Sequence, residues 1–455
     1  MAVPTAARTE LPPEPGARFP RRGPIGWIVG AALFIGAAAA LVLVVFVVAG
    51  AQEHVITGTA LLGFALGWAL LAVLSEWRTS QPQRWALVPG AFFAVCGVAL
   101  LLLAPTDKVM TALGWVWAPA LFVLAVWMLI QARRSLFSWT RAWLIYPVCA
   151  VTALVAVAGA VETVRGSSAP GMPAGAQTYD VGGHRLYLQC TGTGSPTVVL
   201  ANGAGEDTGS WAWIAPAVAR DTRVCSYDRA GQGWSETAGS PQDGVQLATD
   251  LHALLAAAHV PGPYVLAGHS VGGTYDLVFA ARYPTEVAGL VLLDSSSPRQ
   301  FALPEYPGLY DTYRRASALF PSLARLGLGR LAFGNGFAGL PPEARAEEQA
   351  LASSARELRS QRDEWSQLPT AFTQAQAMTD FGAKPLLVIT AAQGQPRGWS
   401  AAQDELAALS SNSVHRTLTG ATHESLLDDQ KIATQSTAGI RAVVQAVRAG
   451  TRLQP

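Results

Sequence analysis

Five long apolar runs without charged residues constrain the first third of the chain more than any other feature. They cover residues 25–50, 55–74, 85–104, 110–130 and 143–161, with lengths of about 19 to 26 residues. About 20 apolar residues in a helix cross the hydrocarbon core of a bilayer, whereas a signal peptide would supply only one shorter run. The sequence therefore predicts an all-α transmembrane region of about five helices at residues 25–165, after a tail of residues 1–24.

Basic residues are distributed unevenly among the segments that flank these runs. Nine arginines lie in the tail and in the second and fourth loops, whereas the first and third loops contain only Lys108. Because cytoplasmic loops carry the excess of Lys and Arg, the bias predicts a cytoplasmic tail and an extracytoplasmic location for everything after Val161. No Asp, Glu, Lys, Arg or His lies deep within a run, which favours an anchor or a lateral interaction module over an ion pathway.

The second informative feature is the segment Gly268-His269-Ser270-Val271-Gly272, which has the form G-x-S-x-G. An apolar run typical of a buried strand precedes it at residues 264–267, and a helical pattern follows at 274–281. Ser at a sharp turn between a strand and a helix is the arrangement called a nucleophile elbow. With this motif, the chain from about Gln177 onward resembles the α/β-hydrolase fold family.

Two further segments are similar to that family. Residues 196–200 read as a strand followed by Asn202, where members usually carry His, and residues 228–235 match the family's D-R-x-G-x-G-x-S segment. The resemblance implies a mostly parallel eight-stranded sheet flanked by helices in a domain at 179–455, after a linker at 166–178. It also implies a helical cap at about 298–382, with an apolar middle that either packs on the core or binds an acyl chain or a membrane.

The resemblance also assigns roles to individual residues. It implies Ser270 as the nucleophile, His423 as the base in the loop after the last strand, and the N–H groups of Ala204 and Val271 as the oxyanion hole. The usual slot for the acid is occupied by Gly394, so Asp294, at the end of the strand after the nucleophile helix, is the first candidate. Asp404 or Glu405, or no working acid, remain alternatives.

The function expected from these residues is cleavage of a carboxylic ester, with lipid-like esters among the substrates, without cofactor or metal. Ser in place of Asp as nucleophile argues against dehalogenase or epoxide hydrolase chemistry. The net charge of +1 gives no nucleic-acid signal. Alternatives are a non-catalytic membrane sensor or binding protein, and a thioesterase, amidase or cofactor-free peroxidase of the same fold. The oligomeric state stays unassigned.

The four cysteines divide into two pairs. Cys96 and Cys149 lie inside apolar runs, where they are most simply small packing residues. Cys190 and Cys225 lie on strands that the resemblance places side by side and antiparallel. In an oxidising compartment that pair could form a disulfide, and unpaired thiols are the alternative.

Overall fold

Five apolar helices form the first part of the structure, a computed structural model that describes residues 25–136, 141–167, 171–333 and 336–454. Each helix, with the short turns that adjoin it, is long and apolar enough to cross a membrane, which confirms the predicted number. The tail at 1–24 lies outside the described residues. The helices are α1 (Ile25–Val42, continued by a π-helical turn at Leu43–Val47), α2 (Glu53–Arg78), α3 (Leu87–Leu103), α4 (Asp107–Ser135) and α5 (Tyr146–Ser167).

Small residues allow α1 and α2 to pack with their backbones in contact. A side chain at Gly36 would place its Cβ 2.6 Å from the Cα of Gly67, and one at Gly63 would lie 2.6 Å from the Cα of Ala40. Helices that lack a hydrophobic driving force between them in lipid associate through such close contacts.

An eight-stranded sheet follows the helices, as the resemblance implied. Its strand order is β1-β2-β4-β3-β5-β6-β7-β8. Strand β2 is antiparallel to both of its neighbours, β1 and β4, and all other neighbouring strands are parallel. Central strands with buried residues on both faces, such as β5, carry a continuous apolar run because helices cover both sides of the sheet. The strands are β1 (Gln177–Asp180), β2 (Arg185–Thr191), β3 (Thr197–Ala201), β4 (Val224–Tyr227), β5 (Tyr264–His269), β6 (Val287–Leu293), β7 (Leu386–Ala391) and β8 (Ser413–Leu418).

Helices cover both faces of this sheet. One apolar core joins the sheet to helices α7 and α8, and a second joins it to the C-terminal helix α16. Outside the cap, the helices are α6 (Ala215–Val218), α7 (Gly244–Ala257), α8 (Val271–Arg282), α14 (Trp399–Ala407), α15 (Ser425–Asp428) and α16 (Gln430–Ala449).

The cap lies between β6 and β7 and is helical. It consists of α9 (Tyr306–Ser317), α10 (Phe320–Arg325), α11 (Gly329–Phe333), α12 (Pro342–Ala352) and α13 (Ala355–Ala375). The sequence pattern predicts helix over 341–368, and the structure has helix there apart from Pro341 and a break at Ser353 and Ser354. The Ser354 side chain accepts a hydrogen bond from the Glu357 N–H and so starts α13 as its N-cap.

The cap also contacts the apolar helices. The Arg325 guanidinium on α10 donates to Glu53 at 2.5 Å and to Asp107 at 2.7 Å, the first residues of α2 and α4. Ala318 and Leu319 pack against Ile56 in a small apolar cluster. The cap therefore lies between the sheet and the helical region, and its apolar middle packs partly against the latter.

The cysteines on β2 and β4 are bridged. Cys190 and Cys225 are directly opposite each other in the antiparallel register, and a disulfide joins them. Cys96 and Cys149 are free thiols within helices α3 and α5.

Candidate active site

The turn that carries Ser270 is strained in the way that an elbow requires. Ser270 follows β5 and is the N-cap residue of α8. Its backbone angles are φ 56° and ψ −127°, a conformation that residues other than glycine rarely adopt. Its N–H donates to the Leu293 carbonyl at 3.1 Å, and the Gly273 and Ser296 N–H groups donate to its carbonyl. The surrounding backbone thus holds Ser270 in this conformation at the carboxyl edge of the sheet.

The two glycines of the motif are required by packing. A Cβ at Gly268 would lie 2.4 Å from the Gly273 nitrogen, and one at Gly272 would lie 2.3 Å from the Ala201 carbonyl oxygen. These contacts let α8 start directly against the ends of β5 and β3. Any side chain at either position would push the elbow away from the sheet.

His423 and Asp294 are joined by a short hydrogen bond. His423 Nδ1 lies 2.6 Å from Asp294 Oδ2, and the imidazole is about one third exposed while Asp294 is fully buried. Asp294 follows β6, and in the parallel register His269 pairs with Leu293, so Asp294 and Ser270 end neighbouring strands. Among the described residues, no hydrogen bond joins the Ser270 hydroxyl to His423. Such bonds are often formed only when substrate binds.

Asp294 accepts hydrogen bonds at both carboxylate oxygens. Besides His423, Oδ2 accepts from Gln395 Nε2 at 2.7 Å, while Oδ1 accepts from Trp399 Nε1 at 2.7 Å and from the Ala391 N–H at 3.2 Å. Burial alone would raise the pKa of this carboxyl, but the hydrogen bond and charge of His423, with the Trp399 donor, hold it below its usual value. Asp294 is therefore held as a carboxylate.

The alternative acids lie elsewhere. The Asp404 carboxylate is 2.7 Å from His415 Nδ1 on β8 and is largely exposed, and Glu405 is exposed on α14. The loop at Gly394, where relatives usually carry the acid, instead supplies the Gln395 amide to Asp294. Of the acids considered from sequence, the structure brings only Asp294 to His423.

The N–H groups of Ala204 and Val271 are both free to bind an anion. Neither donates a hydrogen bond to any group within the described ranges, and Val271 is the first residue of α8, whose N-terminal dipole favours negative charge. Ala204 and Val271 contribute to the same apolar cluster beneath the cap. The two residues assigned to the oxyanion hole therefore lie together.

Two residues that sequence reasoning did not assign to the site support it. The turn predicts that the His269 side chain points away from Ser270. Its ring centre is 4.4 Å from that of His423, its Nε2 lies 3.0 Å from the His423 carbonyl, and its Nδ1 lies 2.8 Å from Glu206 Oε1. Burial would lower the pKa of His269, but the Glu206 charge raises it. Glu206 also accepts from the Gly203 N–H at 2.6 Å, so this pair joins the loop of His423 to that of Ala204.

Arg229, from the D-R-x-G-x-G-x-S segment, holds the same loop from the other side. It is buried, and its guanidinium donates to the carbonyls of Asn202 and Gly203 at 2.5 and 2.7 Å and to Glu364 of the cap at 2.7 Å. Through these bonds the segment positions the loop of Ala204. Asn202, in the usual place of His, accepts from Trp211 and donates to the Tyr227 carbonyl.

Apolar and aromatic side chains from the cap cover the site. Phe301 contacts Tyr306, Tyr310 and Phe372 with ring centres 4.9 to 5.7 Å apart. Tyr306 and Phe372 belong with Leu247, Tyr275 and Leu368 to the apolar cluster that includes Val271, and Phe301, Tyr310 and Ala204 pack against this cluster. Within the described ranges, no three His, Cys, Asp or Glu side chains are grouped as a metal site requires.

Comparison with known proteins gives the same fold. A family model described as the alpha/beta hydrolase fold matches residues 196–430, just over half of the chain. Among solved structures, the Cif epoxide hydrolase from Acinetobacter nosocomialis is similar, with a TM-score of 0.52, 15% identity and coverage of 63% of this chain and 96% of that one. At this identity the likeness shows the fold alone.

Curated relatives match only parts of their own length. An uncharacterised protein of Schizosaccharomyces pombe is 34% identical over 229 residues, which is 48% of this chain and 40% of the relative. The pimeloyl-[acyl-carrier protein] methyl ester esterase of Sodalis glossinidius is 35% identical over 124 residues, 27% of this chain and 46% of the esterase. The chain thus spans less than half of the length of each of these relatives.

Proposed function

This chain belongs to the α/β-hydrolase fold family, and from that premise we propose that it is a membrane-anchored serine hydrolase that cleaves a carboxylic ester. The observation that carries the proposal is the 2.6 Å hydrogen bond between His423 and the buried Asp294, beside the strained turn that presents Ser270. A nucleophile, a base and a group that orients the base are the three parts of this chemistry.

In the proposed reaction, Ser270 Oγ attacks the ester carbonyl while His423 Nε2 takes the hydroxyl proton. Asp294 accepts a hydrogen bond from Nδ1–H of the neutral His423 imidazole, so Nε2 is the basic nitrogen. The Asp294 carboxylate also stabilises the imidazolium that forms when Nε2 takes the proton. His423 then returns the proton to the leaving alcohol. Water, deprotonated by the same nitrogen, hydrolyses the acyl-enzyme and regenerates Ser270.

The oxyanion of each tetrahedral intermediate would be held by the N–H groups of Ala204 and Val271. Their freedom from other hydrogen bonds supports this role, since an oxyanion hole acts by preorganised donors that need no rearrangement. Arg229 and Glu206 would fix the Ala204 loop through their bonds to Gly203.

The cover over the site supports an ester with an apolar acyl group. Phe301, Tyr306 and Phe372 belong to or pack against the apolar cluster that includes Val271, and a chain that buries apolar surface against such residues is stabilised by about 25 cal/mol per Å². The esterase of Sodalis glossinidius acts, by its name, on a methyl ester of an acyl chain, which accords with this class.

Two observations support the proposed placement in a membrane. The hydrolase domain contacts the first residues of α2 and α4, Glu53 and Asp107, which lie at the arginine-poor ends of the five helices. The positive-inside bias assigns those ends to the extracytoplasmic side. The Cys190–Cys225 disulfide accords with an oxidising compartment there. Protease added to intact cells should then cleave the hydrolase domain.

A fluorophosphonate probe tests the catalytic proposal. The wild-type full chain should be labelled at Ser270, and Ser270→Ala should lose both the label and hydrolysis of p-nitrophenyl esters of graded chain length, a rate loss on the order of a millionfold. His423→Ala should also lose the label. If folded wild-type protein is not labelled, the competing function, a non-catalytic membrane sensor, is supported instead.

A further inference from the structure

A polar cavity separate from the catalytic groups lies where the apolar helices meet the hydrolase domain. Its volume is about 360 Å³. Its walls come from Gln52 and Asp107 at the helix ends, from the loops at 229–232 and 237–242, and from one face of cap helix α13. Neither Ser270 nor His423 lines it. Four arginines do, namely Arg229, Arg356, Arg359 and Arg362.

The carboxylates around the cavity are largely committed to partners. Glu364 is paired with Arg229 at 2.7 Å, and Asp107 is paired with Arg325, outside the cavity lining, at 2.7 Å. These two carboxylates therefore do not neutralise the arginines of α13.

The arginines of α13 retain a surplus of positive charge. Arg356 donates to the backbone carbonyls of Gly233 and Ser235. Arg359 is 3.7 Å from Glu53, a carboxylate that Arg325 already binds at 2.5 Å. Within the described ranges, Arg356 has no carboxylate partner and that of Arg359 is 3.7 Å away, so both guanidinium groups keep a charge that an anion in the cavity would meet.

Arg362 provides an unused donor in the same place. Only 6% of its surface is exposed, and although one terminal nitrogen forms an ion pair with Asp363, a third carboxylate of the lining, its Nε donates to no group within the described ranges. Burial and the charge of Arg359 lower the pKa of Arg362 to about 10. A buried guanidinium beside a like charge, with a free N–H, is stabilised by an anion.

The cavity also contains unused acceptors. Gln232 Oε1 and Gln242 Oε1 are buried and accept no hydrogen bond from any described group, while the amide nitrogens of both side chains are engaged. A ligand that satisfies this lining therefore carries hydrogen-bond donors as well as negative charge.

We propose that this cavity binds a phosphodiester whose alcohol bears a hydroxyl or a primary ammonium group, either of which donates hydrogen bonds. Arginine clusters recognise phosphate oxygens through paired N–H donors, and the hydroxyl or ammonium group would reach the glutamine oxygens. Such a group can come from a phospholipid headgroup, since the cavity lies at the ends of helices that are long enough to span a bilayer, or from a soluble phosphodiester. Binding there does not require the proposed ester cleavage.

Equilibrium binding to the full chain in nonionic detergent tests the proposal. The probes are dihexanoyl-phosphatidylglycerol, dihexanoyl-phosphatidylcholine, whose headgroup lacks a donor, and glycerophosphoglycerol, which lacks acyl chains. Phosphatidylglycerol should bind, and Arg359→Gln or Arg362→Gln should weaken it at least about tenfold, as expected for loss of a charged hydrogen bond. Arg330→Gln is the matched control, because Arg330 also joins the cap to the helical region, through Glu162 at 3.2 Å, but does not line the cavity.

A blocking variant keeps the test valid if the arginine variants fail to fold. A Cβ at Gly239 would meet nothing within 4 Å, and Gly239 lines the cavity, so Gly239→Trp should fill it and weaken binding without lowering the melting temperature. Gly308→Trp, at an equally open position on α9, should bind normally.

The soluble probe separates the two sources of the ligand. Glycerophosphoglycerol binding as tightly as the lipid supports a soluble phosphodiester, whereas binding of the lipid alone supports a headgroup at the membrane surface. Equal binding of phosphatidylglycerol and phosphatidylcholine, absence of binding by every probe, or wild-type affinity in Gly239→Trp would overturn the proposal.

Discussion

Asp294→Asn is the most informative single substitution, because every contact of the Asp294 carboxylate is with a donor. Oδ2 faces His423 and Gln395, and Oδ1 faces Trp399 and the Ala391 N–H. An asparagine must place its NH₂ group against one of these two sets. Which set it faces decides the tautomer of His423.

The cost of each orientation can be estimated from burial. If the NH₂ faces Trp399 and Ala391, two buried donors lose their acceptor, at about 1–3 kcal/mol each. If it faces His423, the imidazole can shift its proton to Nε2, and the half-buried Gln395 can rotate its amide. The second orientation is thus favoured by about 2–6 kcal/mol, and it leaves Nε2 unable to take a proton from Ser270.

Since each 1.36 kcal/mol is a factor of ten, kcat should fall about 30-fold to 26,000-fold in Asp294→Asn. KM and the melting temperature should change little. The rate of fluorophosphonate labelling of Ser270 reports this without knowledge of the natural substrate, and turnover of a p-nitrophenyl ester reports it independently. Asp404→Asn is the control, because that exposed carboxylate pairs with His415. Near-wild-type labelling of Asp294→Asn beside an inactive Asp404→Asn would refute the assignment.

Three other outcomes concern the cap, the buried acids and the disulfide. Arg325→Gln leaves Glu53, which is 1% exposed, without its closest partner. The contact between the cap and the apolar helices should then be destabilised by about 3 kcal/mol. Limited proteolysis within 298–382 should then accelerate, while Arg315→Gln, an exposed pair with Asp311, should leave the rate unchanged. Burial and the nearby Asp207 raise the pKa of Asp228 and of Glu357 to about 8. Both groups stay protonated when folded but ionise above about pH 4 when unfolded, so their contribution to stability is lost as the pH rises from about 4 to about 8. The difference in melting temperature between pH 5.5 and 8.5 should shrink in Glu357→Gln, and equal differences in both proteins would contradict the argument. Alkylation of unreduced, denatured protein should modify Cys96 and Cys149 only. Because the bridge spans 35 residues, the Cys190→Ser, Cys225→Ser double variant should have a free energy of unfolding about 4 kcal/mol lower than that of the wild type. Four alkylated cysteines without reductant would show that the bridge does not form.

The sequence predicted the features that depend on local pattern or strand order. The G-x-S-x-G turn between a strand and a helix placed Ser270, and the strand order implied by the family resemblance placed Asp294 beside it. The same resemblance put Cys190 and Cys225 on neighbouring antiparallel strands. The five apolar helices followed from their length and lack of charge alone.

Other features could not be read from the pattern because they depend on side-chain direction. His269 ends a strand, but the positive φ of Ser270 and the sharp turn interrupt the alternation of sides, so the direction of the imidazole did not follow from the strand. The Trp399 and Gln395 bonds to Asp294 join segments about 100 residues apart. The break between α12 and α13 had a sequence signal that was missed, since Ser354 and Glu357 have capping-box spacing.

Helix α13 connects the parts of the molecule that the sequence treated separately. Arg359 on one side is paired with Glu53 of the apolar helices, while Glu364, just over one turn later, binds Arg229, which holds the loop of Ala204. Trp365 packs with Tyr310 and Tyr313 of α9 in the cap. Because a packed helix moves largely as a unit, a change at the helical region would reach the proposed oxyanion hole through α13. The apolar helices are therefore in a position to influence the proposed site.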